Sequence, residues 1–161
     1  MKEHFTADLA RYILYCAPDA IAWISGIEGN AKTMGKIYFW EIEDGVFVEI
    51  ELAGLPNEEK TGNNSNMFTI KFTPSNIEGL HLNEYDPDRK KFDERNYTEI
   101  LPPIVSNKGI AWYTIFTNQF KVCDMVGSTA KIYCRYSDKI NQQDKQLNFP
   151  VASGIIKYNQ Y

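Results

Sequence analysis

Histidine and cysteine are the side chains best suited to metal binding and nucleophilic catalysis, and the chain has only two of the first and three of the second. The histidines are His4 and His81, and the cysteines are Cys16, Cys123 and Cys134. The odd number and wide spacing of the cysteines fit reduced thiols better than a disulfide framework or a zinc site. Cys123 has no histidine near it in the sequence, so the pairing that activates a thiol nucleophile is missing.

Polar side chains alternate with apolar ones in two stretches that could form a chemically active face. In NSNMFTIKFTP, residues 64–74, Thr69 and Lys71 alternate with a row of apolar residues, namely Phe68, Ile70 and Phe72. Strict alternation predicts a half-buried strand with one face in the core. In TAKIYCRYS, residues 129–137, the same alternation groups Lys131, Tyr133 and Arg135 and turns Cys134 towards the core, where a thiol behaves as a small apolar group.

Short strands are predicted along most of the chain. One amphipathic helix is predicted over residues 5–16, closed by Pro18, and a hairpin turn is predicted at Asp44-Gly45. The strands are AIAWISG, MGKIYFWEIED, VFVEIELAGLP, NSNMFTIKFTP, GIAWYTIFT, TAKIYCRYS and FPVASGIIKYN. Residues 73–103 lack periodicity and predict a long functional loop. About seven or eight strands at this spacing indicate an all-β antiparallel sandwich or barrel. The three tryptophans are predicted to pack: Trp23, Trp40 and Trp112.

Composition limits the classes of function. The 161 residues favour one domain with a core that needs no metal or disulfide, and 43% of them are hydrophobic. The net charge of −4 and the lack of a long basic run argue against nucleic-acid binding. No run approaches the ~18 apolar residues of a membrane span, and the N-terminus lacks the apolar core of a secretory signal. A cytoplasmic protein is therefore expected.

The order of several segments resembles that of the copper–zinc superoxide dismutase family, and most closely its bacterial branch, which has a short N-terminal helix. The resemblance is carried by DAIAWISG, VFVEIELAGLP, VASGII and above all LPPIVSNKGIAWYTIFTNQFKVCDMVGSTAKIYCRYSD. It implies a Greek-key antiparallel β-barrel or sandwich of immunoglobulin-like topology. The expected division is an N-terminal helical extension over residues 1–18 and a barrel domain over residues 19–161.

The resemblance also implies where metal ligands would stand. The family binds copper with four histidines, one of which bridges to a zinc held by two further histidines and an aspartate. Here Thr69 and Lys71 stand at the first two copper positions, and Tyr133 stands at the last. GLHLNE keeps the bridging residue as His81. Because an ammonium has no lone pair and three of the four copper positions lack histidine, the resemblance implies that the copper site is lost.

The zinc positions are equally altered. Counting back from the two prolines without a gap places them at Glu94, Tyr97 and Ile100. A slip of one residue would instead offer Asn96 and Glu99. Neither register restores two histidines and an acid, so no cofactor is expected.

The leading hypothesis is therefore a superoxide dismutase-like protein that is catalytically inactive and acts as a binding or interaction module. Recognition of an unknown protein partner is expected from the two long loops, residues 57–66 and 73–103, held by a rigid sheet.

In a related hypothesis Lys71, Lys131 and Arg135 form a pocket for a small anion or a carboxylate of a partner, and homodimerisation is a further option. A related hypothesis has Lys71 replace the metal and pair with Glu94 or Glu99. The alternative is a metal-binding oxidoreductase with residual dismutase activity, using His81 with the loop acids or cysteines.

Overall fold

The computed structural model describes residues 12–13, 15–56, 65–73, 101–138, 143–146 and 150–160. Within these ranges the chain forms nine strands and one short helix, α1 (Val122–Met125). The strands are β1 (Ala20–Gly26), β2 (Met34–Ile42), β3 (Gly45–Ala53), β4 (Ser65–Thr73), β5 (Ile104–Asn107), β6 (Ala111–Thr117), β7 (Thr129–Asp138), β8 (Gln143–Gln146) and β9 (Ala152–Tyr158). The prediction of a nearly all-β protein is confirmed.

The strands form one antiparallel sheet that curls into a nearly closed barrel. Their order across the sheet is β5-β4-β7-β9-β1-β2-β3-β6, and β8 pairs with the far end of β7. The outermost strands, β5 and β6, follow each other in the chain through a tight turn at Lys108 and Gly109. Both turn residues have positive φ, 51° and 79°, as a two-residue hairpin of type I′ requires. This turn joins the two ends of the sheet order, and among the described residues only Asn107 and Ile110 form a backbone pair between β5 and β6, so the barrel is nearly closed.

The core is built from the alternating residues that the sequence predicts. In β3 and β4 every second side chain is buried, namely Val46, Val48, Ile50, Leu52, Phe68, Ile70 and Phe72. The ring of Phe72 contacts Phe39 and Phe120, with ring centroids 6.3 Å apart in each pair. Burial of each large apolar side chain contributes about 1.5–3 kcal/mol, so this interior holds the barrel together and keeps its outer rows in place.

The N-terminal segment contacts the barrel. Tyr12, Ile13 and Tyr15 are helical, and the Cys16 N–H donates to the Tyr12 carbonyl at 2.7 Å. The indole of Trp40 is only 4% exposed and donates to the Cys16 carbonyl at 2.9 Å, which ties this segment to β2. The remainder of the predicted helix over residues 5–16 lies outside the described residues, and the boundary at residue 18 stays a prediction.

Three details differ from the sequence predictions. The first hairpin is present, but its loop is Glu43-Asp44, because Ile42 pairs with Gly45. Gly45 serves a different purpose: a Cβ there would collide with the Thr117 carbonyl of β6. The polar stretch DKINQQDKQLN contains the strand β8, and IVSN forms β5. Neither strand has the apolar alternation that would have predicted it.

Candidate functional site

Strands β4 and β7 bring several of the predicted site residues together on the outside of the barrel. In their antiparallel register, Thr69 lies opposite Tyr133 and Lys71 lies opposite Lys131. Phe68, Ile70, Ala130, Ile132 and Cys134 point the other way, into the core. We call the outer residues Thr69, Lys71, Lys131 and Tyr133 the β4–β7 face. Arg135 lies two residues further along β7, opposite Met67 and next to β8.

Two like charges stand directly opposite each other on this face. Lys71 and Lys131 are cross-strand partners, and both side chains are half-buried. Like charges at directly opposed positions destabilise an antiparallel pair of strands. The ammonium of Lys71 lies 5.1 Å from the centroid of the Tyr133 ring, a cation–π contact that offsets part of the repulsion for this lysine. The face therefore carries positive charge that the residues around it leave uncompensated within the described part of the chain.

The hydroxyl of Thr69 is buried without a hydrogen-bond partner in the structure. Thr69 is 8% exposed although it belongs to the outer row of β4, and its Oγ1 atom finds no donor or acceptor among the described residues. A buried polar group left unsatisfied costs about 1–3 kcal/mol. The Ser106 hydroxyl of β5 is buried without a partner in the same way, so this feature is not confined to the β4–β7 face.

Tyr133 completes the face as a neutral phenol. Desolvation by burial raises the pKa of Tyr133 above its ordinary value of 10.0. At neutral pH the side chain therefore keeps its proton and can donate a hydrogen bond. Together the face offers two ammonium groups and two hydroxyl groups, a set of donors suited to an anion.

The same residues do not suit a copper ion. Threonine, protonated lysine and neutral tyrosine occupy three of the metal positions that the family resemblance implies, and none of them supplies an imidazole. In the described ranges there is no group of three or more histidine, cysteine, aspartate or glutamate side chains that could hold a metal ion. The other four positions, His81, Glu94, Tyr97 and Ile100, lie outside the described residues, and so does the predicted pairing of Lys71 with Glu94 or Glu99.

The three cysteines are free thiols in different surroundings. Cys134 is buried in the core, as predicted from its place in the alternation of β7. Cys123 is exposed on α1, and Cys16 is half-buried where the N-terminal segment meets β2. They lie on three separate elements, one in the core and two on the outside.

The three tryptophans lie in different surroundings, one in the core and two on the surface of the sheet. Trp23 and Trp112 are 64% and 71% exposed, whereas only Trp40 is buried. Trp23 follows Ala22 and precedes Ile24, which both point inwards, so the alternation of β1 turns its indole outwards.

These tryptophans flank a second outer row, across β1, β2, β3 and β6. In register, Trp23 lies opposite Lys36, Lys36 opposite Glu51, and Glu51 opposite Trp112. The Lys36 ammonium lies 4.1 Å from the centroid of the Trp23 ring. The Trp112 indole donates to Glu49 at 2.8 Å, and the Tyr38 hydroxyl donates to Glu51 at 3.4 Å. We call this set the β1–β6 face; its charges already have partners in the same face.

Comparison with known proteins adds no assignment. No protein-family model matches the chain, and no curated protein matches it. In the part of the chain that the structure describes, no helix has the length and apolar character needed to cross a membrane. The chemistry of the two outer faces is therefore the basis for a functional proposal.

Proposed function

We propose that this chain is a non-catalytic binding module on a Greek-key barrel of the superoxide dismutase kind, and that its β4–β7 face binds an anionic group. The strand order supports the topology, because β3 leads to β4 and β6 leads to β7 across the barrel rather than to neighbouring strands. Such crossings are typical of Greek-key connections. The ligand is a small oxyanion or a carboxylate of a partner protein.

The observation that carries the proposal is the direct opposition of Lys71 and Lys131. The two lysine side chains are half-buried and their charges repel each other across neighbouring strands, and an anion between them turns that repulsion into two attractions. The β4–β7 ladder holds the backbones of both lysines in register, so the two charges are already neighbours before an anion binds. Thr69 and Tyr133 contribute hydroxyl groups beside the charges.

The test is a calorimetric titration of the purified chain with acetate, phosphate, sulfate and citrate at low and high sodium chloride. We expect saturable binding of at least one anion that weakens as salt rises, because chloride competes for the same charges. Lys71→Met and Lys131→Met should each weaken binding about tenfold or more, the loss of one charge-assisted hydrogen bond. Lys157→Met removes an exposed lysine of β9 and should leave the affinity unchanged.

Two results would contradict the proposal. Absence of any saturable, salt-sensitive binding across the panel would remove the anion site. Stoichiometric copper retained after incubation with copper and zinc, together with dismutase turnover, would show that the chain is an enzyme rather than a binding module. The two measurements are independent, so each part of the proposal can fail separately.

A further inference from the structure

Two exposed indoles lie at the two ends of one row of side chains across the β1–β6 face. The row, which we call the tryptophan row, consists in register of Trp23, Lys36, Glu51 and Trp112. The indoles are 64% and 71% exposed, and three strand spacings separate them, about 14 Å along the sheet. Because tryptophan is highly buried on average, two exposed indoles in one row indicate a binding surface.

The middle of the tryptophan row is polar. Glu51 is exposed and Lys36 is half-buried. The Tyr38 hydroxyl donates to Glu51 at 3.4 Å, and the Trp112 indole donates to Glu49 at 2.8 Å. Together these side chains can donate and accept hydrogen bonds. A ligand laid along the row would therefore meet an aromatic ring at each end and hydrogen-bonding groups between them.

This order is the reverse of that in a typical protein–protein interface. There the aromatic side chains lie in a fully desolvated centre, and the charged groups lie at the rim. On this face a protein partner would have to remove Lys36 and Glu51 from water at the centre, which costs free energy unless each charge is matched. A ligand that carries its own hydroxyl groups meets no such penalty.

A sugar chain combines the two properties that the row requires. A pyranose ring presents C–H groups on its flat side, and these pack against the negative face of an aromatic ring. Its hydroxyl groups form strong hydrogen bonds with carboxylates and ammonium groups. We propose that the tryptophan row binds an oligosaccharide whose sugar rings pack on both indoles and whose hydroxyl groups contact the charged residues between them.

The charges of this face favour an uncharged sugar. Lys36 and Glu51 have opposite charges and are neighbours in register, so their fields largely cancel for a ligand that covers both. Glu49, which holds the Trp112 indole, adds a negative charge that repels an acidic sugar. The preference is thus the opposite of the one proposed for the β4–β7 face, where two lysines lie opposite each other.

Both indoles are oriented before a ligand binds. The hydrogen bond to Glu49 fixes the Trp112 ring. The Lys36 ammonium lies 4.1 Å from the centroid of the Trp23 ring and covers one of its faces, and the exposure of this indole leaves the other face for a sugar. Rings that are already oriented lose little side-chain entropy when a ligand packs against them.

The test is a titration of the isotope-labelled chain with cellohexaose, xylohexaose, mannohexaose and maltohexaose, followed by NMR through the indole N–H signals. The chain has three tryptophans, and the signal of the buried Trp40 serves as the internal reference. We expect at least one of these sugars to shift the signals of Trp23 and Trp112 saturably while that of Trp40 stays in place. The corresponding disaccharide should bind more weakly, because it is too short to contact both indoles.

Substitutions separate the role of the rings from that of the fold. Trp23→Ala and Trp112→Ala should each weaken binding about tenfold or more, since each removes one ring contact. Trp112→Phe loses the hydrogen bond to Glu49 but keeps a ring, and should recover part of the affinity. Tyr15→Ala removes an exposed aromatic side chain of the N-terminal segment and should leave the affinity unchanged. Cooperative thermal melting shows that each variant is folded.

Three results would overturn the proposal. The first is that no sugar of the panel shifts the signal of either exposed indole. The second is sugar binding that persists in the double variant Trp23→Ala/Trp112→Ala, which would place the sugar elsewhere. The third is a protein that the unmodified chain retains from a cell lysate and the double variant does not, without any response to the sugars, which would make the tryptophan row a protein interface.

Discussion

The two outer faces of the barrel each carry a lysine that contacts an aromatic ring, and they differ in the charge that lies opposite that lysine. On the β1–β6 face, Lys36 stands opposite Glu51 and over the ring of Trp23. On the β4–β7 face, Lys71 stands opposite a second cation, Lys131, and over the ring of Tyr133. Both faces hold a lysine against an aromatic ring, yet only one supplies a carboxylate directly across from it.

The difference lies in the charge opposite each lysine. Lys36 has the carboxylate of Glu51 across the ladder, whereas Lys71 has the ammonium of Lys131. Opposite charges across a ladder stabilise the strands that carry them, and like charges destabilise them. The β1–β6 face thus contributes to the stability of the folded chain without help. The like-charged pair of the β4–β7 face lowers the stability of the free chain, and the proposed anion would restore it, since a ligand that binds only the folded state stabilises that state.

The largest predicted effect concerns β9, the strand that joins the two faces. β9 pairs with β7 on one side and β1 on the other, and a Cβ at Gly154 would collide with the Trp23 carbonyl. We expect Gly154→Ala to lower the free energy of unfolding by about 2–4 kcal/mol, because β1 and β9 cannot then keep their spacing. Urea unfolding measures the change. Ser153→Ala, one residue away, should cost no more than about 0.5 kcal/mol, and equal losses would contradict the assignment.

Replacing a lysine should change the free energy of unfolding in opposite directions on the two faces, and by less than the glycine substitution. Lys131→Met removes one member of the like-charged pair and should raise the free energy of unfolding by about 0.5 kcal/mol in buffer of low ionic strength. Lys36→Met removes the cation–π contact and the charge opposite Glu51, and should lower it by about 0.5–1 kcal/mol. Parallel urea titrations measure both. Changes of the same sign would mean that the two faces do not differ as described.

The smallest predicted effect is a loss of stability at alkaline pH, and its causes differ between Tyr38 and Tyr133. Burial raises the pKa of both Tyr38 and Tyr133 above 10.0, and the nearby Glu51 and Glu49 raise that of Tyr38 further. Raised values favour the protonated, folded state, so this stability is complete below pH 10.0 and is lost as the pH rises through the folded-state pKa.

Spectrophotometric titration of the phenols should distinguish the two causes of the raised pKa values, which are burial and the negative charge of nearby carboxylates. Salt at about 1 M screens the carboxylates and should lower the pKa of Tyr38, while that of Tyr133, set by burial, should change little. Tyr38→Phe and Tyr133→Phe assign the two transitions. An equal response of both phenols to salt would show that the acids of the β1–β6 face do not act on Tyr38.

Much of the fold follows from local pattern. The alternation in β1, β3, β4 and β7 identifies these strands and their buried side chains, including Cys134, because a strand turns successive residues to opposite faces whatever it pairs with. The short strand β8 escaped prediction for the complementary reason. Its polar residues carry no apolar row, and it becomes a strand only by pairing with the end of β7.

The candidate site was predictable in part. The residues of the β4–β7 face were identified one by one from the sequence, as polar members of alternating stretches. That Lys71 meets Lys131 rather than an acid depends on the register between strands about 60 residues apart in the chain, which the folded sheet specifies. The place of β6 at one end of the sheet order was not predictable, since GIAWYTIFT has apolar residues on both faces and its sequence does not show which side is paired.

The sequence alone determined which residues point inwards along the strands with one clear apolar row, β1, β3, β4 and β7, because successive side chains of a strand point to opposite faces. It also determined that a site of several histidines cannot form, because the chain has two. The tertiary structure decided which outward residues become neighbours and which strands, β5 and β6, stand at the two ends of the sheet order. Those properties depend on strand order and closure of the barrel, and no local pattern of residues encodes them.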